Sequence, residues 1–292
     1  IIIGSNIIKN LILYFNQNSI NFDKCLLVID KKVPNKKITQ VLKNLKKKKI
    51  FKFIFNANEK NKDLNNVNKI LQILLTKNFS RKDCLITIGG GITGDVGGFA
   101  ASLYKRGLQF INLPTTLLSQ VDSSIGGKTG VNSKYGKNLV GSFYQPKLVI
   151  SDVSFLSSLP KREIVCGYAE ILKHSIINDS IFFKLLEKFS SEILIKKDPE
   201  KLLYAIEKSC KIKLIFVNKD VNEKKYRMIL NFGHTFAHAI EAKSNYSKKV
   251  NHGEAVLIGI IMAARLSLKY KLCSEQTVDK IINIYKKNNI NF

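Results

Sequence analysis

The chain has 292 residues, of which 45% are apolar, enough for a sizeable core and too many for a disordered protein. Lys and Arg number 48 against 22 Asp and Glu, a net charge of +26; arginine occurs only at 81, 106, 162, 227 and 265, so the excess is lysine, accompanied by abundant Ile and Asn, which speaks for compositional drift rather than a surface built for nucleic acid. No apolar run reaches the ~18 residues of a membrane span, Ile1-Ile2-Ile3-Gly4 has no signal-peptide n-region, and the five scattered cysteines form no C-x-x-C pair, so a cytoplasmic protein with no membrane partner and no disulfide framework is expected.

In chain order, Cys25–Asp30 is a short apolar run with branched residues and reads as a buried strand. A lysine-rich amphipathic stretch follows, then a second strand at Ile50–Phe55. Apolar residues at 64, 67, 70, 71, 74 and 75 predict a helix over Asp63–Asn78. Cys84–Ile88 is a third strand that ends in a glycine cluster, Gly94–Tyr104 has helical character, and Leu108–Leu113 is a fourth strand. Strands separated by helical segments predict a parallel sheet with crossovers. After Asp152 no strand is evident. Lys161–Ile177, Ser180–Ser191, Pro199–Asn218, Tyr226–Ala242, Gly253–Tyr270 and Glu275–Lys287 read as helices. Two domains are expected, an α/β domain over 1–155 and an all-α domain over 156–292, with an active site at their junction.

Three groups of residues carry candidate chemistry. Gly89, Gly91 and Gly94 match G-x-G-x-x-G between a strand and a helix, which lets backbone amides approach a pyrophosphate. The usual ribose-binding acid is missing, since no Asp or Glu lies between Asp95 and Asp122, so a tight strand–helix turn remains open beside dinucleotide binding. Gly126-Gly127-Lys128-Thr129 is not a P-loop, because Asp122 stands where its first glycine belongs. The second group is histidine. Of four in the chain, His234, His238 and His252 fall within 19 residues, and the first two share a helix face at i,i+4 spacing. Glu170 lies on an earlier helix with Lys173 and His174 one turn later. Two His and one carboxylate form a common metal set with positions left for substrate; a helix surface with capping histidines and a Glu170–Lys173 or Glu170–His174 pair also fits the spacing. The third group is the long stretch from Pro114 through Thr129 to Leu139, read as a loop dense in Gly, hydroxyl, Asp, Lys and Asn, which suits a polar, anionic ligand; an ordinary irregular surface loop is the alternative.

Together these segments resemble the 3-dehydroquinate synthase family. The stretches that carry the resemblance are GGGITGDVGGFAASLYKRG (89–107), LPTTLLSQVDSSIGGKTGVN (113–132), GKNLVGSFYQP (136–146), GYAEILKH (167–174), NFGHTFAHAIE (231–241) and NHGEAV (251–256), in the family's order. The resemblance implies a Rossmann-like NAD-binding domain, a helical metal-binding domain and a cleft between them. It implies conversion of 3-deoxy-D-arabino-heptulosonate 7-phosphate to 3-dehydroquinate and phosphate. In the family NAD transiently oxidises a hydroxyl, phosphate is eliminated, the ketone is reduced again, and an intramolecular aldol closes the ring.

By the same resemblance, Glu170, His234 and His252 are the ligands of a divalent metal, zinc or else cobalt. His238, Lys173, Asp122 and Glu223 take catalytic roles. Arg106, Lys128, Asn138, Lys213, Arg227 and Asn231 contact substrate, Arg106 from the neighbouring subunit of a homodimer. NAD contacts fall to Asp30, Glu59, Lys62, Gly91, Ile92, Thr93, Gly94, Asp95, Thr115, Thr116, Lys128, Lys137 and the turn Phe155, Leu156, Ser157 and Ser158. Ala57-Asn58-Glu59 departs from the family's usual Asp-Gly-Glu. Family members run some tens of residues longer, so the helical domain is expected to be truncated at its C-terminus. A sister sugar-phosphate cyclase acting on sedoheptulose 7-phosphate or glucose 6-phosphate would have no carboxylate to match Arg227 and Asn231. A glycerol-dehydrogenase-like oxidoreductase lacks the GGKTGVN to GKNLVG stretch. A basic nucleic-acid-binding protein calls for clustered Arg and exposed aromatics, which the sequence does not offer.

Overall fold

The computed structural model describes residues 1–244 and 249–290. Two compact units divide the chain, Ile1–Phe155 and Leu156–Phe292. The first carries β1 (Ile2–Gly4), α1 (Leu11–Gln17), β2 (Lys24–Asp30), α2 (Asn35–Asn44), β3 (Lys49–Phe55), α3 (Leu64–Thr76), β4 (Cys84–Gly89), α4 (Gly91–Leu103), β5 (Gln109–Pro114), β6 (Lys128–Ser133), β7 (Gly136–Phe143) and β8 (Leu148–Asp152). Six of these strands form a sheet in the order β1-β8-β5-β4-β2-β3, every pair parallel.

The apolar runs of β2 and β4 are continuous because both faces of the sheet are covered. Cys25, Leu27 and Ile29 point into a core shared with Leu11, Phe15, Val41 and Leu45 from the α1 and α2 side. Leu26 and Val28, one residue out of phase, join Val67, Ile70 and Leu74 of α3 and Val96 and Phe99 of α4 on the other face. The helix leaving β2 and the helix leaving β4 thus lie on opposite faces. The chain diverges between the C-terminal ends of these two neighbouring strands, the place where open parallel sheets bind ligands. Asp30 and Gly89 stand there.

Two sequence expectations change in this unit. The helix after β4 begins at Gly91, inside the glycine loop, three residues earlier than the reading from Gly94. The polar segment after Pro114 is not an irregular loop: it holds a wide π-type turn at Ser119–Ser123 and the antiparallel hairpin β6–β7. Its glycines and polar residues give a weak strand signal, and side-chain anchors supply what propensity does not. Asn132 N–H donates to the Lys62 carbonyl at 2.7 Å, and its side-chain amide donates to Glu59 Oε2 at 2.9 Å.

The second unit carries α5 (Lys161–Asn178), α6 (Ser180–Ser191), α7 (Pro199–Lys219), α8 (His234–Lys243), α9 (His252–Lys269) and α10 (Glu275–Lys287). Helix α5 is its axis: Ile164 through Ser175 are all buried, and α6, α7 and α9 pack around it. A helix buried on every side marks a core position, and this one carries Glu170 and Lys173 in its middle. The helix expected over Tyr226–Ala242 is broken in two. A 3-10 turn at Tyr226–Asn231 ends before Gly233, whose φ of 79° restarts the chain as α8. A Cβ at Gly233 would lie 2.8 Å from the Ile260 nitrogen, so the break also lets α8 lie close against α9.

Candidate active site

The metal candidates assemble within the second unit. Glu170 on α5, His234 at the first turn of α8 and His252 at the first turn of α9 each bring one ligand atom within 4.8 Å of the others. Glu170 is 1% exposed, and its two oxygens face different partners. Oε2 takes the Lys173 ammonium from the next turn of the same helix. Oε1 faces both imidazoles, 3.7 Å from His234 Nε2 and 3.9 Å from His252 Nε2. On the other side of each ring, Nδ1 meets an acceptor: the Phe232 carbonyl for His234 and Glu241 Oε2 for His252, both at 3.4 Å. An acceptor at Nδ1 places the proton there and leaves Nε2 as the lone-pair donor. A carboxylate oxygen and two Nε2 lone pairs aimed at one point form a donor set that fits zinc or cobalt.

His238, one turn beyond His234, is exposed, its ring 5.5 Å from that of His234 and nearly perpendicular to it. A cavity of about 540 Å³ opens beside them, lined by Asn231, Phe232, His234, Thr235 and His238 together with Ile177, Met228 and Ile229. Asn231 donates to Glu223 Oε1 at 3.1 Å, and Glu223 holds a left-handed φ of 55°. Arg227 is 2% exposed, its guanidinium anchored by Nη1 to the Val221 carbonyl at 2.7 Å. Lys213 is buried on α7. One turn earlier on α7, Ser209 Oγ meets His174 Nδ1 at 2.6 Å, and His174 is one turn beyond Glu170, so the faces of α5 and α7 that carry Glu170 and Lys213 pack together.

The cofactor candidates assemble within the first unit, at the C-terminal edge of its sheet. The register sets Ile29 beside Ile88 and Gly89 beside Pro114, so Asp30, Gly91–Asp95, Thr115 and Thr116 leave neighbouring strands at one level. Gly90 is the N-cap of α4 and brings no side-chain cap, leaving the first-turn amides of Gly91, Ile92 and Thr93 to face a bound anion. Asp30 closes β2, and burial pushes its carboxyl up against the pull of the Lys32 amide. A capless helix N-terminus beside a strand-end carboxylate fits the pyrophosphate and ribose of a dinucleotide.

Next to this edge, Lys62 is 5% exposed and its ammonium binds Asp95 Oδ2 and Asn138 Oδ1, both at 2.5 Å. Burial pushes the Asp95 carboxyl up, with Lys62 opposing it. Lys137 reaches Glu59 Oε1 at 3.6 Å. The sequence placed these five residues in different motifs, and the fold joins them around the hairpin. Asp122 sits in the π-type turn and Lys128 is exposed at the start of β6. In the turn after β8, the side chains of Phe155 and Leu156 are buried, so Ser157 and Ser158 are its exposed members. Arg106, a substrate candidate, lies beyond the far end of α4, roughly 20 Å from its first turn at 1.5 Å per residue and away from the cofactor candidates.

Three residues escaped the sequence reading. Glu241 follows His234 and His238 at i+7 and i+3, a spacing that already puts it on their helix face. Asp220 accepts the amides of Lys224, Lys225 and Arg227 and so shapes the loop that carries Glu223 and Arg227. Arg162 grips Glu254 through Nε and Nη2, at 2.7 and 2.6 Å.

Comparison with known proteins identifies the family. A family model described as 3-dehydroquinate synthase N-terminal matches residues 52–166, and one described as 3-dehydroquinate synthase C-terminal matches residues 167–292. The chain belongs to the 3-dehydroquinate synthase family. The 3-dehydroquinate synthase of Pelagibacter ubique (strain HTCC1062) is 59% identical over 281 residues, covering 96% of this chain and 76% of that protein. That of Buchnera aphidicola subsp. Cinara cedri is 44% identical, covering 99% and 78%. Among solved structures, 2-deoxy-scyllo-inosose synthase complexed with carbaglucose-6-phosphate, NAD+ and Co2+ superposes with a TM-score of 0.90 at 29% identity, covering 99% of this chain and 78% of that one. A 2-epi-5-epi-valiolone synthase from Streptomyces hygroscopicus with NAD+ and Zn2+ bound gives 0.90 at 26%, covering 99% and 80%. A probable glycerol dehydrogenase from Sinorhizobium meliloti, at 13% identity and 0.68, shares the fold alone. Family membership makes the chain a carbon–oxygen lyase of the shikimate pathway, the enzyme class that forms 3-dehydroquinate.

Proposed function

We propose that this chain converts 3-deoxy-D-arabino-heptulosonate 7-phosphate to 3-dehydroquinate and phosphate with the residues described above. The observation that carries the assignment of roles is Glu170 Oε1 facing two imidazole Nε2 atoms beside a cavity lined by Asn231 and His238. Glu170, His234 and His252 would hold the metal, and Asp30, the Gly91–Asp95 turn, Thr115 and Thr116 would hold NAD. When bound, the metal supplies Lewis acidity to the substrate's hydroxyl and the nicotinamide supplies reversible hydride transfer, so that the cofactor ends each turnover as it began.

The chain's own residues do the rest. Lys173 holds Glu170 by the oxygen turned away from the imidazoles. Arg227 and Asn231 offer an anchored guanidinium and an amide to an anionic substrate, a planar fork suited to carboxylate or phosphate. Lys128, Lys213 and Asn138 add further cationic and amide donors, and Arg106 would serve a neighbouring subunit. His238, exposed next to His234, is the imidazole placed to relay protons beside the metal ligands. Asp122 and Glu223 complete the polar groups assigned to the reaction.

We infer a cytoplasmic homodimer as the working form. Its cysteines support the first half: Cys25, Cys84, Cys166 and Cys210 are buried and form no disulfide, and burial pushes the Cys25 and Cys166 thiols up to about 12, which makes them inert. No helix among the described residues is long and apolar enough to cross a membrane.

The substrate assignment is tested by offering the purified protein, with zinc and NAD, the heptulosonate phosphate and sedoheptulose 7-phosphate in parallel. Turnover of the acid alone is expected. Turnover of sedoheptulose 7-phosphate in preference to the acid would transfer the chain to a sister cyclase activity.

A further inference from the structure

We propose that Glu241 is a positioning residue for His252: its carboxylate fixes the imidazole so that Nε2, not Nδ1, is presented to the metal. The proposal rests on the metal role of Glu170, His234 and His252 and extends it to a residue outside that set.

The backbone at His252 is already fixed from three directions. Asn251 and Glu254 form a capping box around it: Glu254 N–H donates to Asn251 Oδ1 and Asn251 N–H donates to Glu254 Oε2, each at 2.9 Å. Arg162, at the start of α5, grips both oxygens of Glu254 and donates to the Lys249 carbonyl at 2.9 Å. Gly253 presses on α5 so closely that a Cβ there would lie 2.3 Å from Cys166 Cα, and its amide meets Cys166 Sγ at 3.3 Å. Cys166 is one turn before Glu170 on α5, so these contacts set the distance from the start of α9 to Glu170.

They leave the rotation of the His252 ring open, and a ring flip would exchange Nδ1 and Nε2. His234 has its own restraint, the Phe232 carbonyl two residues back. His252 has Glu241. This carboxylate is only 7% exposed, yet it lies on α8 against a polar partner on α9, with His252 Nδ1 at 3.4 Å. Burying a carboxylate costs several kcal/mol unless a donor or cation compensates. An imidazole N–H does so, and the compensation strengthens when the same ring binds a dication at its other nitrogen. The spacing makes the arrangement a property of α8 as a whole: His234, His238 and Glu241 share one face at i, i+4 and i+7, so one helix supplies a metal ligand and the group that orients a ligand on its neighbour.

The test compares the parent chain with Glu241→Ala and Glu241→Gln. Zinc affinity is measured by competition with a chromophoric chelator. Loss of the carboxylate in Glu241→Ala is expected to weaken zinc binding by about 10- to 100-fold. Glu241→Gln keeps an amide oxygen that accepts the Nδ1 proton and is expected to stay within a few-fold of the parent. Equal zinc affinity in Glu241→Ala and the parent would overturn the proposal, as would a loss in Glu241→Gln as large as in Glu241→Ala. A second measurement needs no variant: long-range ¹⁵N–¹H correlation spectra of the zinc-loaded parent report which His252 nitrogen carries the proton. Protonated Nδ1 is expected, and zinc on Nδ1 would overturn the proposal. A parent that binds no zinc would remove the metal reading itself, an outcome distinct from a zinc-binding parent that is indifferent to Glu241.

Discussion

Glu170 divides its carboxylate between two kinds of partner, and the division decides what the residue can do. One oxygen is tied to Lys173 inside the same helix, and the other is turned to the gap between two imidazoles. Asp220 works in a similar way at the edge of the loop that carries Glu223 and Arg227. Its Oδ2 takes the amides of Lys225 and Arg227 at 2.8 and 3.2 Å, and its Oδ1 takes that of Lys224 at 2.9 Å. These amides, Lys225 first, hold the Asp220 carboxyl below the ordinary aspartate value. A depressed carboxylate stabilises the fold fully above the unfolded value of about 3.9 and loses that contribution as pH falls through the lower folded value. The loop carrying Glu223 and Arg227 is therefore expected to keep its order down to roughly pH 4 and to loosen below it. Asp220→Ala is expected to raise KM for the acid phosphate about tenfold at neutral pH, the scale of one charge-assisted hydrogen bond, while zinc content is unchanged. An unaltered KM would show that the loop needs no such anchor. The histidine spacing and the family resemblance together singled out Glu170, His234 and His252, and the fold brings the three side chains together. Asp220 was not legible, because the amides that donate to it come together only once the chain turns back after α7.

The helices of the second unit lie close to where periodicity put them, and each element that departs from the sequence reading has its own cause. The apolar pattern runs unbroken from Tyr226 to Ala242, but contact with α9 requires the break at Gly233. The β6–β7 hairpin was invisible because its stability comes from Lys62, Glu59 and Asn132 rather than from apolar alternation. The short edge strand β1 pairs only with β8 over three residues, too little for a pattern. Close approach also dictates Gly253. Gly253→Ala would drive a methyl into Cys166 Cα and its carbonyl oxygen at 2.3 and 2.5 Å, with no flexible side chain to yield. The expected cost is about 3 kcal/mol, read by chemical denaturation of the metal-free protein, together with weaker zinc binding as α9 lifts from α5. A variant as stable as the parent would mean that the α5–α9 packing is looser than described.

For the whole molecule, the charge that dominates the composition is largely incidental to the chemistry. Residues 85–160, which hold the glycine turn, the π-type turn and the hairpin, carry six Lys and Arg against three Asp. Elsewhere lysines lie over aromatic rings, as Lys201 does at 4.3 Å from the Phe189 centroid. The cations assigned to the substrate are few and singly placed. The α/β and all-α halves were legible because strand runs and helical periodicity segregate along the chain. What the sequence could not supply was which polar residues meet, since Lys62, Asp95 and Asn138 come together only in the fold. Metal and nicotinamide chemistry together serve a reaction with no net oxidation. The most direct measurement follows phosphate and NADH together during turnover of the heptulosonate phosphate by the zinc- and NAD-loaded chain. Phosphate release that is abolished by a chelator, restored by zinc and accompanied by no accumulation of NADH is the expected result. One NADH formed per substrate consumed, or phosphate release indifferent to the chelator, would contradict the account.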